Sequence, residues 1–166
     1  MMGDYVRDKD AVTASLMVAE MAAYYFNQGK TLLDAMEDLY ETYGRYQEKT
    51  LNLVMPGLDG LRKMQALMAK LRAEHPAEIG GVAVAKVRDY QTGELSVAGL
   101  GVVGKTSIVG SNVLYFELAD GSSFIVRPSG TEPKIKVYLM VHDVDKAKCD
   151  EKLERYTAFA ESLKEF

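Results

Sequence analysis

At His75-Pro76 the spacing of apolar residues in this chain changes from that of a helix to that of a strand. Before that point Leu61, Met64, Leu67, Met68 and Leu71 recur at three- and four-residue intervals, which predicts one face of a helix over Leu58 to Glu74. After it the interval shortens. Val82, Val84 and Val87 open a strand that runs to about Tyr90, Asn112 to Ala119 and Ser123 to Arg127 flank Asp120-Gly121, and Lys134 to His142 follows. Asp-Gly favours a two-residue hairpin turn. A closing helix is expected from a cap at Asp143, with Val144, Ala147, Leu153, Tyr156, Phe159, Ala160 and Leu163 on its inner face. Helix, four strands and helix make an α+β fold: a mostly antiparallel four-stranded sheet covered by helices. The glycine-rich stretch from Gln91 to Ser111 fits no period.

The first 44 residues stand apart. Asp8 to Gln28 reads as a helix stopped by Gly29, and Thr31 to Gly44 as a second, capped by Thr31. Val12, Leu16, Met17, Val18, Met21, Tyr24, Tyr25 and Phe26 put apolar groups on nearly every side of the first helix, so it is built for burial on several sides. Arg45 to Met55 has no helical period and ends at Pro56-Gly57. It reads as a connecting arm, which divides the chain into residues 1–44, a linker at 45–57 and a C-terminal domain at 58–166.

Charge and composition narrow the function. Twenty-four acidic residues against 20 basic ones give a net charge of −4, without a basic block, which disfavours non-specific nucleic-acid binding. No uncharged stretch approaches the roughly 20 residues that span a bilayer, and Met1 to Tyr5 lacks the features of an export signal. A single cysteine, Cys149, and two histidines, His75 and His142, leave little for a disulfide or a metal cluster and suit a reducing, cytoplasmic setting.

One turn carries chemistry. Arg127-Pro128-Ser129-Gly130-Thr131-Glu132-Pro133-Lys134 combines a planar guanidinium, two hydroxyls, a glycine that admits close backbone approach, and two prolines that leave the N–H groups of Ser129 to Glu132 as donors. Lys134 and Lys136 add positive potential. A phosphate dianion asks for such convergence. The plain alternative is a tight turn whose arginine pairs with Glu132, and spacing alone leaves both readings open.

The run RPSGTEPKIKVY, from Arg127 to Tyr138, resembles the C-terminal signature of the phosphoglucomutase and phosphomannomutase family, the α-D-phosphohexomutases. The start of the chain, Gly3-Asp4-Tyr5-Val6-Arg7-Asp8-Lys9-Asp10-Ala11, resembles the segment after that family's sugar-recognition loop in domain 3. The resemblance therefore implies the last helices of an α/β domain 3 followed by domain 4, whose fold is like that of the TATA-binding protein. It implies that Arg127, Ser129, Gly130, Thr131 and, in a lesser part, Lys134 bind the substrate phosphate that is not reacting. Lys9 resembles a lysine that approaches the active site in the phosphoglucomutase branch, although an exposed lysine at a helix start is the plain reading. For the whole enzyme the resemblance implies a phosphoserine, magnesium and a hexose 1,6-bisphosphate. Its partners would be the sugar phosphate and the remaining domains of the same enzyme.

The sequence holds no TASHNP-like serine loop, no DxDxDR-like magnesium loop and no GEESYG-like sugar loop. The expectation is a piece of a longer enzyme, inactive alone, that binds no metal and whose apolar first helix invites self-association. Asp8 and Asp10 read as dipole-favoured residues at a helix start rather than a metal site. Two other readings stay open. Gly99-Leu100-Gly101-Val102-Val103-Gly104-Lys105-Thr106 satisfies the G-x-x-x-x-G-K-[ST] phosphate loop of nucleotide-binding proteins, but that loop needs a helix beginning at its lysine, and Ser107 to Asn112 leaves no room for one. The chain could also be a non-catalytic interaction module using the first helix. Cys149 stands among Lys146, Lys148 and Lys152, either as a mildly reactive thiol or a passive surface residue.

Overall fold

The computed structural model describes residues 9–57 and 59–165 and divides the chain into two compact units, Met1–Gly44 and Arg45–Phe166. The first unit holds two helices, α1 (Ala11–Phe26) and α2 (Leu32–Tyr43). Asp10 caps α1 by accepting from the N–H groups of Val12 and Thr13. Thr31 and Asp34 form a reciprocal capping box on α2. Among the described residues of α1 none is buried, and Val12, Leu16, Tyr24 and Phe26 are all well exposed.

The second unit is one antiparallel sheet with helices on one face. Its elements are β1 (Arg45–Val54), α3 (Gly60–Ala73), β2 (Glu78–Ile79), β3 (Val82–Asp89), β4 (Glu94–Val97), β5 (Gly101–Lys105), β6 (Leu114–Leu118), β7 (Ser123–Pro128), β8 (Lys134–Asp143) and α4 (Lys146–Ser162). The strand order is β1-β8-β7-β6-β3-β4-β5, with β2 paired to β3 off this path. The sheet therefore has eight strands where four were expected.

Three of the four additional strands come from two stretches, a supposed arm and a glycine-rich segment, that the sequence does not mark as strands. The supposed arm at 45–57 is mostly β1, an edge strand paired with β8 over ten residues, from Arg45 opposite Asp143 to Val54 opposite Lys134. Leu53 and Met55 reach the core from it. The glycine-rich stretch folds into the β4–β5 hairpin, whose register slips between Leu95 and Ser96 so that Val103 is left without a partner, a β-bulge on the outer strand. The β6–β7 turn is also a residue longer than Asp-Gly suggests. Gly121 donates to Leu118 and Leu118 to Ser122, and Gly121 takes φ 83°, the left-handed residue of a three-residue loop.

Alternation along β8 decides the layering. Ile135, Val137, Leu139 and Val141 are buried, while Lys134, Lys136, Tyr138 and Met140 point to the other face. On the buried side Met64, Leu67, Met68 and Leu71 of α3 join Cys149, Tyr156 and Ala160 of α4 in one core with Phe116, Phe124 and Leu114. Leu61 is exposed, and Gly60 is buried instead, against the chain where β1 leaves the sheet. The cap of α4 is Asp145, which accepts from Ala147 and Lys148, rather than Asp143. Val144 and Ala147 consequently lie outside the inner face, and Cys149 lies on it.

Asp143 has a different task. With Asp120 it grips the ammonium of Lys152, at 2.9 Å and 3.0 Å, and Tyr156 donates to Asp120 at 2.9 Å, so the end of β8, the β6–β7 turn and α4 are joined by one partly buried charge. The hydrogen bond from Lys152, helped by the Asp145 N–H, lowers the Asp143 carboxyl to about 2. Burial would raise Asp120, but the Ser122 N–H, Lys152 and Tyr156 outweigh it and hold it below the usual range. Burial, beside the Asp120 carboxylate, pushes the Tyr156 hydroxyl up to about 12.

A carboxyl whose pKa falls on folding stabilises the fold above its ordinary value and loses that contribution as pH drops through the lowered one. Stability that depends on Asp143 is thus expected to fall between its ordinary 3.8 and about 2. Lys152→Met should flatten that acid limb in urea unfolding and lower the urea midpoint at pH 7, because it leaves two carboxylates without their shared cation. At Gly60 an added methyl would stand 2.1 Å from the Met55 carbonyl oxygen and 3.0 Å from the Pro133 side chain. Gly60→Ala is expected to destabilise the fold by about 1–3 kcal/mol, read as a lower urea midpoint.

Candidate functional site

The turn from β7 to β8 is assembled by the two strands that flank it. Arg127 is the penultimate residue of β7 and stands opposite Lys136 of β8, so alternation sends both side chains to the face away from the helices. Lys136 in turn stands opposite Asn52 of β1, which places two cations and an amide in one cross-strand row. Pro128 and Pro133 bracket the loop Ser129-Gly130-Thr131-Glu132.

Its hydrogen bonds differ in part from those read in the sequence. The Ser129 N–H is not available, because it donates to the Lys134 carbonyl at 2.9 Å and closes the hairpin. The Thr131 and Glu132 N–H groups both point at Ser129 Oγ, at 3.4 Å and 3.3 Å, long contacts that converge on a single oxygen. The Lys134 N–H donates to Glu132 and the Met55 N–H to Pro133, so the base of the loop is fastened to the end of β1. Gly130 has ordinary backbone angles, and a methyl added to it would meet nothing within 4 Å. The fold itself makes no demand for glycine there.

The charges resolve the turn's own alternative. Glu132 pairs with Lys134, not with Arg127. That hydrogen bond, and then the nearby charges of Lys134 and Lys136, hold the Glu132 carboxyl below the usual range. Arg127 is exposed and has no acidic partner among the described residues. The turn thus keeps a guanidinium without an acidic partner among the described residues, opposite Lys136, on the strand that leads into two converging N–H groups, donor types that a tetrahedral dianion needs.

The other residues singled out by the sequence stand on other elements. Lys9 is exposed, just before the α1 cap, and belongs to the first unit. Asp10 is a helix cap, and Asp8 lies outside the described residues. Cys149 is fully buried rather than on the surface, and burial pushes its thiol up, away from the reactive thiolate form. Gly99 to Thr106 forms the turn and second strand of the β4–β5 hairpin, with no helix after Lys105, so the nucleotide reading is not favoured. Among the described residues no three His, Cys, Asp or Glu side chains gather as a metal site would require, and no helix is long and apolar enough to cross a membrane. Asn52 escaped the sequence reading, since its place in the row follows only from the pairing of β1 with β8.

Comparison with known proteins places this geometry. The family model described as "Phosphoglucomutase/phosphomannomutase, C-terminal domain" matches residues 51–151, a span that contains β1's end, the whole β7–β8 turn and the start of α4. A phosphoglucomutase of Staphylococcus aureus strain bovine RF122 / ET3-1 is 38% identical over 135 residues, covering 81% of this chain and 24% of that protein. Its counterpart in strain USA300 is 37% identical over the same length, again covering 81% and 24%. The chain therefore spans about a quarter of the length of these relatives. The crystal structure of the exocytosis-sensitive phosphoprotein pp63/parafusin, a phosphoglucomutase from Paramecium, in its open form, shares the fold with a TM-score of 0.54 and 20% identity, covering 96% of this chain and 26% of that one. With the model matched across most of the sheet and relatives this similar, the chain belongs to the phosphoglucomutase/phosphomannomutase family and represents its C-terminal region.

Proposed function

We propose that this chain is the phosphate-gripping C-terminal part of a phosphohexomutase, an enzyme that interconverts hexose 1-phosphate and hexose 6-phosphate by way of a phosphoserine and a hexose 1,6-bisphosphate. The observation that carries the reading is Arg127 at the β7–β8 turn, without an acidic partner among the described residues and inside the span that matches the family. Its fork would take two oxygens of the non-reacting phosphate, the Thr131 and Glu132 N–H groups and the hydroxyls of Ser129 and Thr131 would take others, and Lys136 and Lys134 would balance the charge. Open space over Gly130 leaves room for the anion. Holding that phosphate fixes the sugar while the other end reacts and contributes to the exclusion of water.

The remaining parts of the proposal concern what this chain does not do by itself. The sequence carries neither a serine loop nor a magnesium loop of the family type, so in this proposal both belong to other domains, and this chain alone is inactive as a mutase. The exposed apolar sides of α1 are the surface that the rest of domain 3 covers, and in the isolated chain that surface turns to a second copy. Residues 1–44 then end domain 3, Lys9 approaches the active site only in the assembled enzyme, and the setting is cytoplasmic.

Amide NMR titration with glucose 1,6-bisphosphate is expected to shift the resonances of Ser129 to Lys134 and to leave Gly99 to Thr106 unmoved. Arg127→Ala should weaken binding about 10- to 100-fold, the worth of a charged hydrogen-bonding fork, with an unchanged melting temperature. Binding as tight as wild type in that variant would overturn the assignment, and shifts at Gly99 to Thr106 with Mg-ATP would replace it by the nucleotide reading. Gly130→Ala should likewise keep the wild-type melting temperature while losing affinity, since the added methyl occupies only the space reserved for ligand.

A further inference from the structure

The border of the candidate site on the β6 side is fastened by one guanidinium from the far end of α3. Leu114, the first residue of β6, pairs with Val126, the neighbour of Arg127, so the last rung of the β6–β7 ladder lies between the arginine on one strand and the entry through Asn112 and Val113 on the other. That chain arrives from β5 through residues 106–113, which belong to no helix or strand. Backbone bonds hold it to the β3–β4 turn: Thr106 donates to Gly93 at 2.8 Å, Ser111 to Tyr90 at 3.1 Å, and Tyr90 to Val113 at 3.0 Å.

Arg72 supplies the side-chain anchor. Its Nε donates to Asp89 Oδ2 at 2.7 Å and its terminal nitrogen to Asn112 Oδ1 at 2.9 Å, so one planar group spans the end of β3 and the approach to β6. Asp89 is 5% exposed, and its second oxygen accepts from the Gln91 N–H at 2.9 Å. Burial alone would raise the Asp89 carboxyl, but the hydrogen bonds from Arg72 and Gln91 outweigh it and keep it ionised. The ion pair is therefore a fixed point, and the bond to Asn112 ties a surface strand entry to it.

Resting on the phosphate reading above, we propose that Arg72, anchored on Asp89, is a positioning residue for that site, acting through Asn112 to hold the strand that borders Arg127. Neither Arg72 nor Asn112 need touch the ligand. Their effect is on how narrowly the rim around the guanidinium is defined before the anion arrives.

The test compares the whole chain with four variants, using glucose 1,6-bisphosphate affinity by NMR and the unfolding midpoint as paired readouts. Asn112→Ala removes the bond to the strand entry and leaves the buried ion pair in place. It is expected to weaken binding about 3- to 10-fold, one neutral acceptor's share, at an unchanged midpoint. Arg72→Lys, which keeps the charge but not the two-acceptor reach, should do the same, and Asn112→Gln, which keeps an amide oxygen, should restore binding. Wild-type affinity in both Asn112→Ala and Arg72→Lys, while Arg127→Ala has lost it, would overturn the positioning role and leave the phosphate site standing. Persistent weakness in Asn112→Gln would overturn it too. If wild type fails to bind, or Arg127→Ala binds as wild type does, the phosphate reading falls and this inference with it.

Discussion

Strand β8 is laddered on both sides, to β1 over ten residues and to β7 from Ser123 opposite Met140 to Pro128 opposite Ile135, and the rest of the unit is arranged around that fact. A strand held on both edges cannot turn about its own axis, so its alternation is locked. Ile135, Val137, Leu139 and Val141 must face α3 and α4 while Lys136 must face away, beside Arg127. Core and candidate site are consequently written into alternate letters of one strand. A slip of a single residue would expose the apolar row and bury the lysines in the same step.

The parts of this architecture that could be read from the sequence are those with a sustained period. The helix now defined as Gly60–Ala73, the strands Val82–Asp89, Leu114–Leu118, Ser123–Pro128 and Lys134–Asp143, and the two N-terminal helices all lie within a few residues of their expected places. β1 was missed although Leu51, Leu53 and Met55 alternate, because Arg45 to Thr50 is polar on both sides, as suits an edge strand. The β4–β5 hairpin was illegible for another reason. Its glycines supply turns, and the bulge at Val103 breaks the two-residue rhythm that would have announced a strand.

Within the candidate site the residue types were legible and the bonding was not. Arg127, Ser129, Gly130, Thr131 and Lys134 stand in one loop as expected, yet which acid takes which base depends on where β8 begins. Lys134 sits at the strand's first position and reaches back to Glu132, which releases Arg127. The Ser129 N–H is spent on closing the hairpin, a consequence of register that no composition reveals. Arg72 and Asn112, forty residues apart in sequence, meet only because the C-terminal turn of α3 passes over the strand ends.

The bulge in the outer hairpin bears on how the molecule behaves in a crowd. β5 is one of the two edges of the sheet, and with Val102 and Val103 exposed, and Leu100 before them, it has the apolar character that ordinarily recruits a neighbouring chain. The unpartnered Val103 interrupts the repeat of outward-pointing donors and acceptors and twists the edge, so a strand from a second molecule finds no ladder to join. A hydrophobic margin of the kind that seeds fibre-like stacking is thus interrupted by one supernumerary residue.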